Sequence, residues 1–433
     1  MVAALLVGLA ISGATAGVPP AAVETFLDRR IDGLASLYRH LHAHPELSLQ
    51  EKETARRLAA ELKQAGFQVT TGVGGHGVVA VLRNGEGPVV LWRSDLDALP
   101  VREETGLPYA SRAVARDDSG REVAVMHACG HDVHMSVLVG LAQALREFAD
   151  AWSGTVVLIG QPAEERVQGA RAMIEDGLFT RFPRPAAVMG LHVKPDLEAG
   201  TVGFRAGPAF ANVDSVDIAL FGRGGHGSAP HTTVDPVVIA ARVVMALQTI
   251  VAREVDPVEP AVISVGSIHG GTKHNIIADR VDLQVTVRSY SDAVRQALLQ
   301  GIERNVLAEA AGANAPRKPE VRYSEGTPAT VNDPGLVART VPALRRALGE
   351  ERIVEVPPIM GAEDFTYYGR EGIPAFMFML GTTPRERLEE SRRPGGRPIP
   401  STHSALYHPE PGPSIRGGVA AAFAAVLSLL QPR

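Results

Sequence analysis

The sequence predicts an α/β protein: one domain on a central, mostly parallel sheet, interrupted by an inserted α+β domain of ferredoxin-like order. Three observations predict it. Short β-branched apolar runs such as Thr155 to Ile159 alternate with amphipathic helical patterns from Ala21 onward, the signature of buried strands with helical crossovers. Between 213 and 326 the pattern changes to β-α-β-β-α-β, the ferredoxin-like arrangement. After 327 the first pattern returns, so 21–212 and 327–433 form one domain around the insertion.

The first elements precede any chemistry. Val2 to Ile11 is a short apolar run and Ala14-Thr15-Ala16 a small-x-small cleavage pattern, so 1–16 reads as a secretory signal and the protein as periplasmic or secreted. If the run is not cleaved, the protein is cytoplasmic; it is too short to span a bilayer. Glu24 to Leu41 and Glu51 to Ala65 have helical periodicity, separated by the break at Pro45 and closed by Gly66. Val78 to Leu82 and Val89 to Trp92 read as strands flanking the turn Asn84 to Gly87, and Arg93-Ser94-Asp95-Leu96-Asp97 follows. Two aspartates past a buried strand sit where open α/β sheets place their ligands, although capping aspartates of a loop give the same pattern.

The chain's single cysteine lies in Met126 to His134, just before a helical pattern from Met135 to about Phe148. It excludes an intrachain disulfide, leaving metal binding, nucleophilic chemistry or plain burial. In an extended stretch Cys129 and His131 point the same way, Gly130 relieves crowding between them, and the helix start favours a thiolate. The strand 155–159 delivers Glu164-Glu165. In an extended segment these face opposite ways, one able to bind a metal and one to act as a general base. Ala187 to Leu191 is a strand ending in His192.

In the insertion, Val213 to Phe221, Ala261 to Ile268, Val281 to Arg288 and Pro319 to Tyr323 read as strands, Pro236 to Ala252 and Asp292 to about Ala311 as helices. The glycine-rich turn 222–231 lacks the spacing of a dinucleotide site. Arg288 falls on the polar face of its strand, solvated or holding a carboxylate. Pro334 to Leu348 is helical, Gly361-Ala362-Glu363-Asp364-Phe365 introduces a short helix, and Ala375 to Leu380 is a strand. Pro384 to Pro400 reads as a loop, His403 follows, and the helix Ser414 to Leu430 ends the chain.

Composition sets outer bounds. The chain has 433 residues, 45% apolar and 21% charged, which is ordinary for a soluble globular protein. With a net charge of -5 and no basic stripe, nucleic acid is not expected as a partner, nor is stable membrane insertion.

Each candidate alone has a structural explanation. Together Cys129, His131, Glu165, His192 and His403 are five N, S and O donors in loops of one α/β core, a number suited to two metal ions, with Glu164 left as acid/base.

From about Leu34 to the C-terminus the chain resembles the amidohydrolase branch of the zinc-type aminoacylase and carboxypeptidase family. That branch includes hippurate hydrolases, N-acyl-amino-acid amidohydrolases and indole-acetyl-amino-acid hydrolases. The matching segments are Leu41 to Glu46, Ser94 to Pro100, Met126 to His134, Gln161 to Glu165, Gly190 to His192, Gly224 to His231, Gly361 to Phe365 and Thr402 to Ser404. The resemblance implies two divalent ions, zinc or alternatively manganese or cobalt, held by Cys129, His131, Glu165, His192 and His403. It implies that Glu164 is the base and that 213–326 is a lid forming a homodimer. His226 would reach the partner's site as oxyanion donor, and Asn275 and Arg288 would contact the substrate carboxylate. The wider family has a histidine two residues before the metal-site aspartate. Here Arg93 stands there, so Asp95 is expected behind the ligands rather than among them. The implied reaction is metal-dependent hydrolysis of N-acyl amino acids by water held between the ions. The alternative is a metallo-dipeptidase or carboxypeptidase acting on small peptides.

Overall fold

The apolar runs pair into one nine-stranded sheet in the computed structural model, which describes residues 18–433. The expected signal segment 1–16 lies outside the described residues. In chain order the first strands are β1 (Gln68–Val73), β2 (Gly77–Asn84), β3 (Val89–Asp95), β4 (Trp152–Gln161), β5 (Ala187–Glu198) and β6 (Val202–Phe204). Four strands of a second sheet follow: β7 (Val213–Phe221), β8 (Ala261–Gly270), β9 (Arg280–Ser289) and β10 (Glu320–Thr327). The strands β11 (Ile353–Glu355) and β12 (Ala375–Thr383) return to the first sheet.

The large sheet runs β1-β2-β4-β3-β5-β12-β6-β11, with Gln431–Pro432 added beside β4. Its centre, β4-β3-β5-β12, is parallel throughout, as the continuous apolar runs require. The turn at Asn84 to Gly87 does not close a hairpin. Instead β4 lies between β2 and β3, antiparallel to the first and parallel to the second. The polar edge strand β1 has no apolar run and is invisible to periodicity. The expected loop 384–400 contains the short helix Arg385–Ser391, which buries Leu388.

Helices Pro20–Ala43, His131–Glu147, Pro334–Leu348 and Pro411–Leu427 bury their apolar stripes in the larger core cluster, with Trp92, Trp152 and Phe378 from the sheet. Helix His131–Glu147 is buried on nearly every side, which explains its nearly unbroken apolar sequence. A Cβ on its Gly140 would come within 2.4 Å of Val419 and 3.0 Å of Leu34, so glycine permits this close packing. The helix begins at His131, four residues before the apolar pattern at Met135, because the donor segment forms its first turn.

The second sheet runs β8-β9-β7-β10, all antiparallel, with helices Pro236–Arg253 and Asp292–Gly312 packed over Val216, Ile218, Val285 and Val287. This is the ferredoxin-like order. Helix Pro236–Arg253 is long and apolar enough to cross a bilayer, yet Ile239, Val243, Leu247 and Ile250 form the core of this domain. Contacts that tie the insertion to the large domain include Arg370 to Asp292 at 2.7 Å through both guanidinium nitrogens, Arg288 to the Met360 carbonyl at 2.7 Å, and Tyr367 to the Gly326 carbonyl at 3.3 Å.

Candidate metal centre and active site

The donor turn is built by one left-handed residue. Gly130 has φ 76°, and a Cβ there would lie 2.8 Å from Val193 Cγ2. Cys129 and His131 therefore converge across a left-handed turn into a helix, which replaces the extended pair expected from the sequence. His131 Nδ1 donates to the Asp97 carbonyl at 2.8 Å, leaving Nε2 buried and without a hydrogen-bond partner. His192 lies inside β5, which runs on to Glu198, rather than in a loop at its end. Its Nδ1 donates to the Val193 carbonyl at 2.8 Å, and its Nε2 faces the Cys129 thiol at 3.4 Å. Both imidazoles are thereby fixed as Nε2 donors, the arrangement of metal-binding histidines oriented by a main-chain carbonyl.

The loop after β4 supplies the carboxylates. Ala163 has φ 49°, and its N–H donates to Glu51 Oε1 at 2.8 Å. The Glu165 N–H donates to Asp97 Oδ2 at 3.0 Å. The loop is thus curled rather than extended. Glu164 and Glu165 do not face opposite ways: each brings an oxygen to 3.8 Å from His131 Nε2. His403, in a left-handed conformation (φ 67°) and tied through its N–H to the Ala128 carbonyl at 2.8 Å, places Nε2 3.5 Å from Glu165 Oε1. Ligand atoms of Cys129, His131 and His192 lie within 4.8 Å of one another, as do those of Cys129, Glu165 and His403. All five expected donors meet, and the thiol belongs to both groups.

Asp95 stands behind these ligands, but not in simple support of His131. Its Oδ1 accepts from His134 Nδ1 at 2.6 Å and its Oδ2 from Arg93 at 2.7 Å. It also lies 3.6 Å from His131 Nε2. His134 Nε2 accepts from the Val193 N–H at 3.0 Å, so both its nitrogens are used and it is not available to a metal. The carbonyl that orients His131 belongs to Asp97, which the sequence offered as one of two aspartates at a ligand-placing strand end or as a loop cap.

Six buried or nearly buried carboxylates crowd this region: Asp95, Asp97, Glu164, Glu165, Glu363 and Asp364. Among the described residues Arg93 is the only guanidinium or ammonium bonded to any of them, through Asp95, Glu363 (2.9 Å) and Asp364 (3.1 Å). Burial alone would lower the His131 pKa, but Asp95, Asp97 and Glu165 outweigh it and raise it to about 10. Burial, with Glu165 and Glu164 beside it, pushes the Cys129 thiol well up, contrary to the helix-start expectation. Burial and neighbouring carboxylates likewise raise Glu164. A site that protonates its own donors lacks positive charge, and bound divalent cations would oppose all three shifts. The orphaned His131 Nε2 and Glu165 Oε1 fit the same reading.

Sequence reasoning missed the polar frame. Arg93, fully buried on β3, also donates to Gln161 at 2.9 Å. Asp364 accepts from Gln161 at 2.7 Å and from the Ala170 N–H at 2.9 Å. Glu51, pushed up to about 7 by burial and by Asp97, ties the Glu164 loop to the helix Lys52–Gln64. The available signal was an arginine within the buried run Val89 to Trp92 and beyond.

The inserted domain brings His226 and Asn275 together: His226 pairs with Ile276, and the Gly227 N–H donates to the Asn275 carbonyl at 2.9 Å. His226 Nδ1 accepts from the Ser228 N–H at 3.1 Å, which leaves Nε2 as the proton-bearing donor. Among the described residues, no hydrogen bond or ion pair joins His226 or Asn275 to the metal-binding donors. Arg288 is half-buried on the polar face of β9, bonded to Met360.

With this geometry in place, comparison with known proteins gives the family. The model of peptidase family M20/M25/M40 matches residues 91–392. The chain belongs to that family. It is 38% identical over 350 residues to N-acetyl-L-cysteine deacetylase of Bacillus subtilis, covering 81% of this chain and 80% of the relative. It is 38% identical over 358 residues to thermostable carboxypeptidase 1 of Saccharolobus solfataricus, covering 81% and 86%. The crystal structure of the Bacillus subtilis YXEP protein, described as a dinuclear metal-binding peptidase of family M20, superposes with a TM-score of 0.74 at 30% identity, covering 94% of this chain and 99% of that one. The protein is therefore a metal-binding, amide-hydrolysing enzyme of the amidohydrolase branch.

Proposed function

We propose that this enzyme hydrolyses the amide bond of N-acyl amino acids, aryl or aliphatic, releasing a carboxylic acid and an amino acid. The observation that supports this most is the convergence of the five expected metal donors with one further carboxylate, Glu164, beside them. Cys129, His131 and His192 would hold one divalent ion, and Cys129, Glu165 and His403 the other. Zinc suits the thiolate and imidazole donors best, with manganese or cobalt as substitutes. Bound ions supply Lewis-acid polarisation of the amide carbonyl and acidify water.

The remaining work belongs to the chain's own side chains. Glu164 takes a proton from the attacking water and returns it to the leaving nitrogen. His226, with Nε2–H free, donates to the oxyanion from a partner subunit. Asn275 and Arg288 hold the substrate carboxylate. Arg288 uses one nitrogen on Met360, which leaves others for a forked contact. A homodimer through the inserted domain is supported by its exposed apolar residues Val237, Val238 and Met245 on one helix and Ile268 on the edge strand β8. Export, with removal of 1–16, is supported by the apolar run and the Ala14-Thr15-Ala16 pattern.

The carboxypeptidase relative favours a second reading, cleavage of small peptides at the same centre. Turnover of N-acetyl, N-benzoyl and long-chain N-acyl amino acids, set against free dipeptides, separates the two. The base assignment is tested by Glu164→Ala. It is expected to keep two ions per subunit and lose on the order of 10²- to 10⁴-fold in turnover. Undiminished turnover removes Glu164 from the reaction.

A further inference from the structure

Glu164 has no side-chain hydrogen bond among the described residues; its nearest ion-pair partner, His131 Nε2, stands 3.8 Å away, so its direction is set by charge rather than by a hydrogen bond. It is the shared member of two clusters. Its carboxylate lies with His131 and Glu165 in one, and with Glu363 and Asp364 in the other, all within 4.8 Å inside each cluster. In the second cluster Glu363 and Asp364 are anchored by hydrogen bonds. Glu363 Oε1 accepts from Arg93 at 2.9 Å and from the Phe365 N–H at 3.0 Å, and the side chain is 1% exposed. Asp364 is held by three donors and nothing to which it could give a proton: Arg93, Gln161 and the Ala170 N–H. Glu363 Oε2 is buried with no hydrogen-bond partner, and the single guanidinium of Arg93 is shared among Asp95, Glu363 and Asp364, so the cluster keeps a net negative charge.

We propose that Glu363, moored by Arg93, is a positioning residue for Glu164: a fixed carboxylate whose repulsion keeps the free Glu164 side chain leaning toward the metal-binding donors. Like charges at this separation in a buried setting are poorly screened. Of the two groups, only Glu164 can move away. Arg93 is the reason two further acids are tolerated here. One guanidinium reaches Asp95, Glu363, Asp364 and Gln161 at once, a span that a lysine ammonium could not reproduce. The frame also ties β3, β4 and the segment 361–365 together at the end of the sheet where Glu164 emerges.

This inference rests on Glu164 being the base, and the test separates the two. In the metal-loaded enzyme, Glu363→Gln preserves shape and an acceptor for Arg93 while removing the charge. Turnover of an N-acyl amino acid is expected to fall on the order of 10- to 100-fold. KM should stay within about twofold, with thermal midpoint and two bound ions per subunit unchanged. Glu363→Asp, which restores the charge, is expected to recover most of the loss. In a Glu164→Gln background, adding Glu363→Gln should cost nothing further, because the residue acts through Glu164. Undiminished turnover in Glu363→Gln overturns the proposal. So does a loss matched by lowered metal content or thermal midpoint, an Asp variant no better than Gln, or an additive loss in the double variant. A fully active Glu164→Gln would instead sink the base assignment itself.

Discussion

His42 offers a prediction whose size and sign follow from three distances. It is fully buried on helix Pro20–Ala43, with Nδ1 2.7 Å from Asp132 and Nε2 3.1 Å from Glu103. The clamp joins that helix to the start of helix His131–Glu147 and to the segment around Glu103. Glu103 also accepts from the Ser111 N–H at 2.6 Å. Burial alone would lower the His42 pKa, but the two carboxylates outweigh it and raise it to about 9. Against an unfolded value of about 6.5, this corresponds to about 3 kcal/mol of stability. Because the folded pKa is the higher one, the contribution is complete below pH ~6.5 and is lost as pH rises through about 9. The assay is urea denaturation of wild type and His42→Gln from pH 6 to 10, followed by tryptophan fluorescence. Both tryptophans, Trp92 and Trp152, lie in the large-domain core, so the signal reports the right domain. The wild type should lose about 3 kcal/mol relative to the variant across the window. Parallel pH profiles would show that His42 is not charged in the folded protein and refute the reasoning.

Other predictions follow from the same geometry. Gly130→Ala meets both a left-handed φ and Val193 at 2.8 Å, so it should cost about 1–3 kcal/mol and reduce bound metal, measured by denaturation and elemental analysis. Glu164→Ala and His226→Ala proteins, each inactive alone, should regain partial turnover when mixed and reassembled; no regain would mean that each subunit completes its own site. Chelation should lower the thermal midpoint, since ions at 100 times their Kd stabilise the fold by about 2.7 kcal/mol. An unchanged midpoint would argue that the donors hold no ion in the folded state.

Much of this fold was legible because its strands are buried on both faces and its helices have one apolar stripe. Strand β4, for instance, is recognisable from Thr155 to Ile159, but its place between β2 and β3 is not. Local sequence reports burial, whereas strand order depends on which partners compete for the same edge. The metal donors were legible as residue types, and all five meet. How they meet was not: the left-handed φ of Gly130 and Ala163 converts segments that read as extended into turns, and that of His403 turns a loop residue toward Glu165. The supporting frame was hardest to see. Arg93, Glu51, Asp97 and Asp364 bond to one another or to main-chain groups across 2 to 271 residues of sequence, and no periodicity marks such contacts.

The measurement closest to the central claim is anomalous diffraction from crystals of the metal-loaded enzyme, collected at the absorption edge of the bound metal. Two peaks per subunit are expected, one among Cys129, His131 and His192 and the other among Cys129, Glu165 and His403. A single peak, or density centred on Asp95 and His134 with Cys129 uninvolved, would contradict the account.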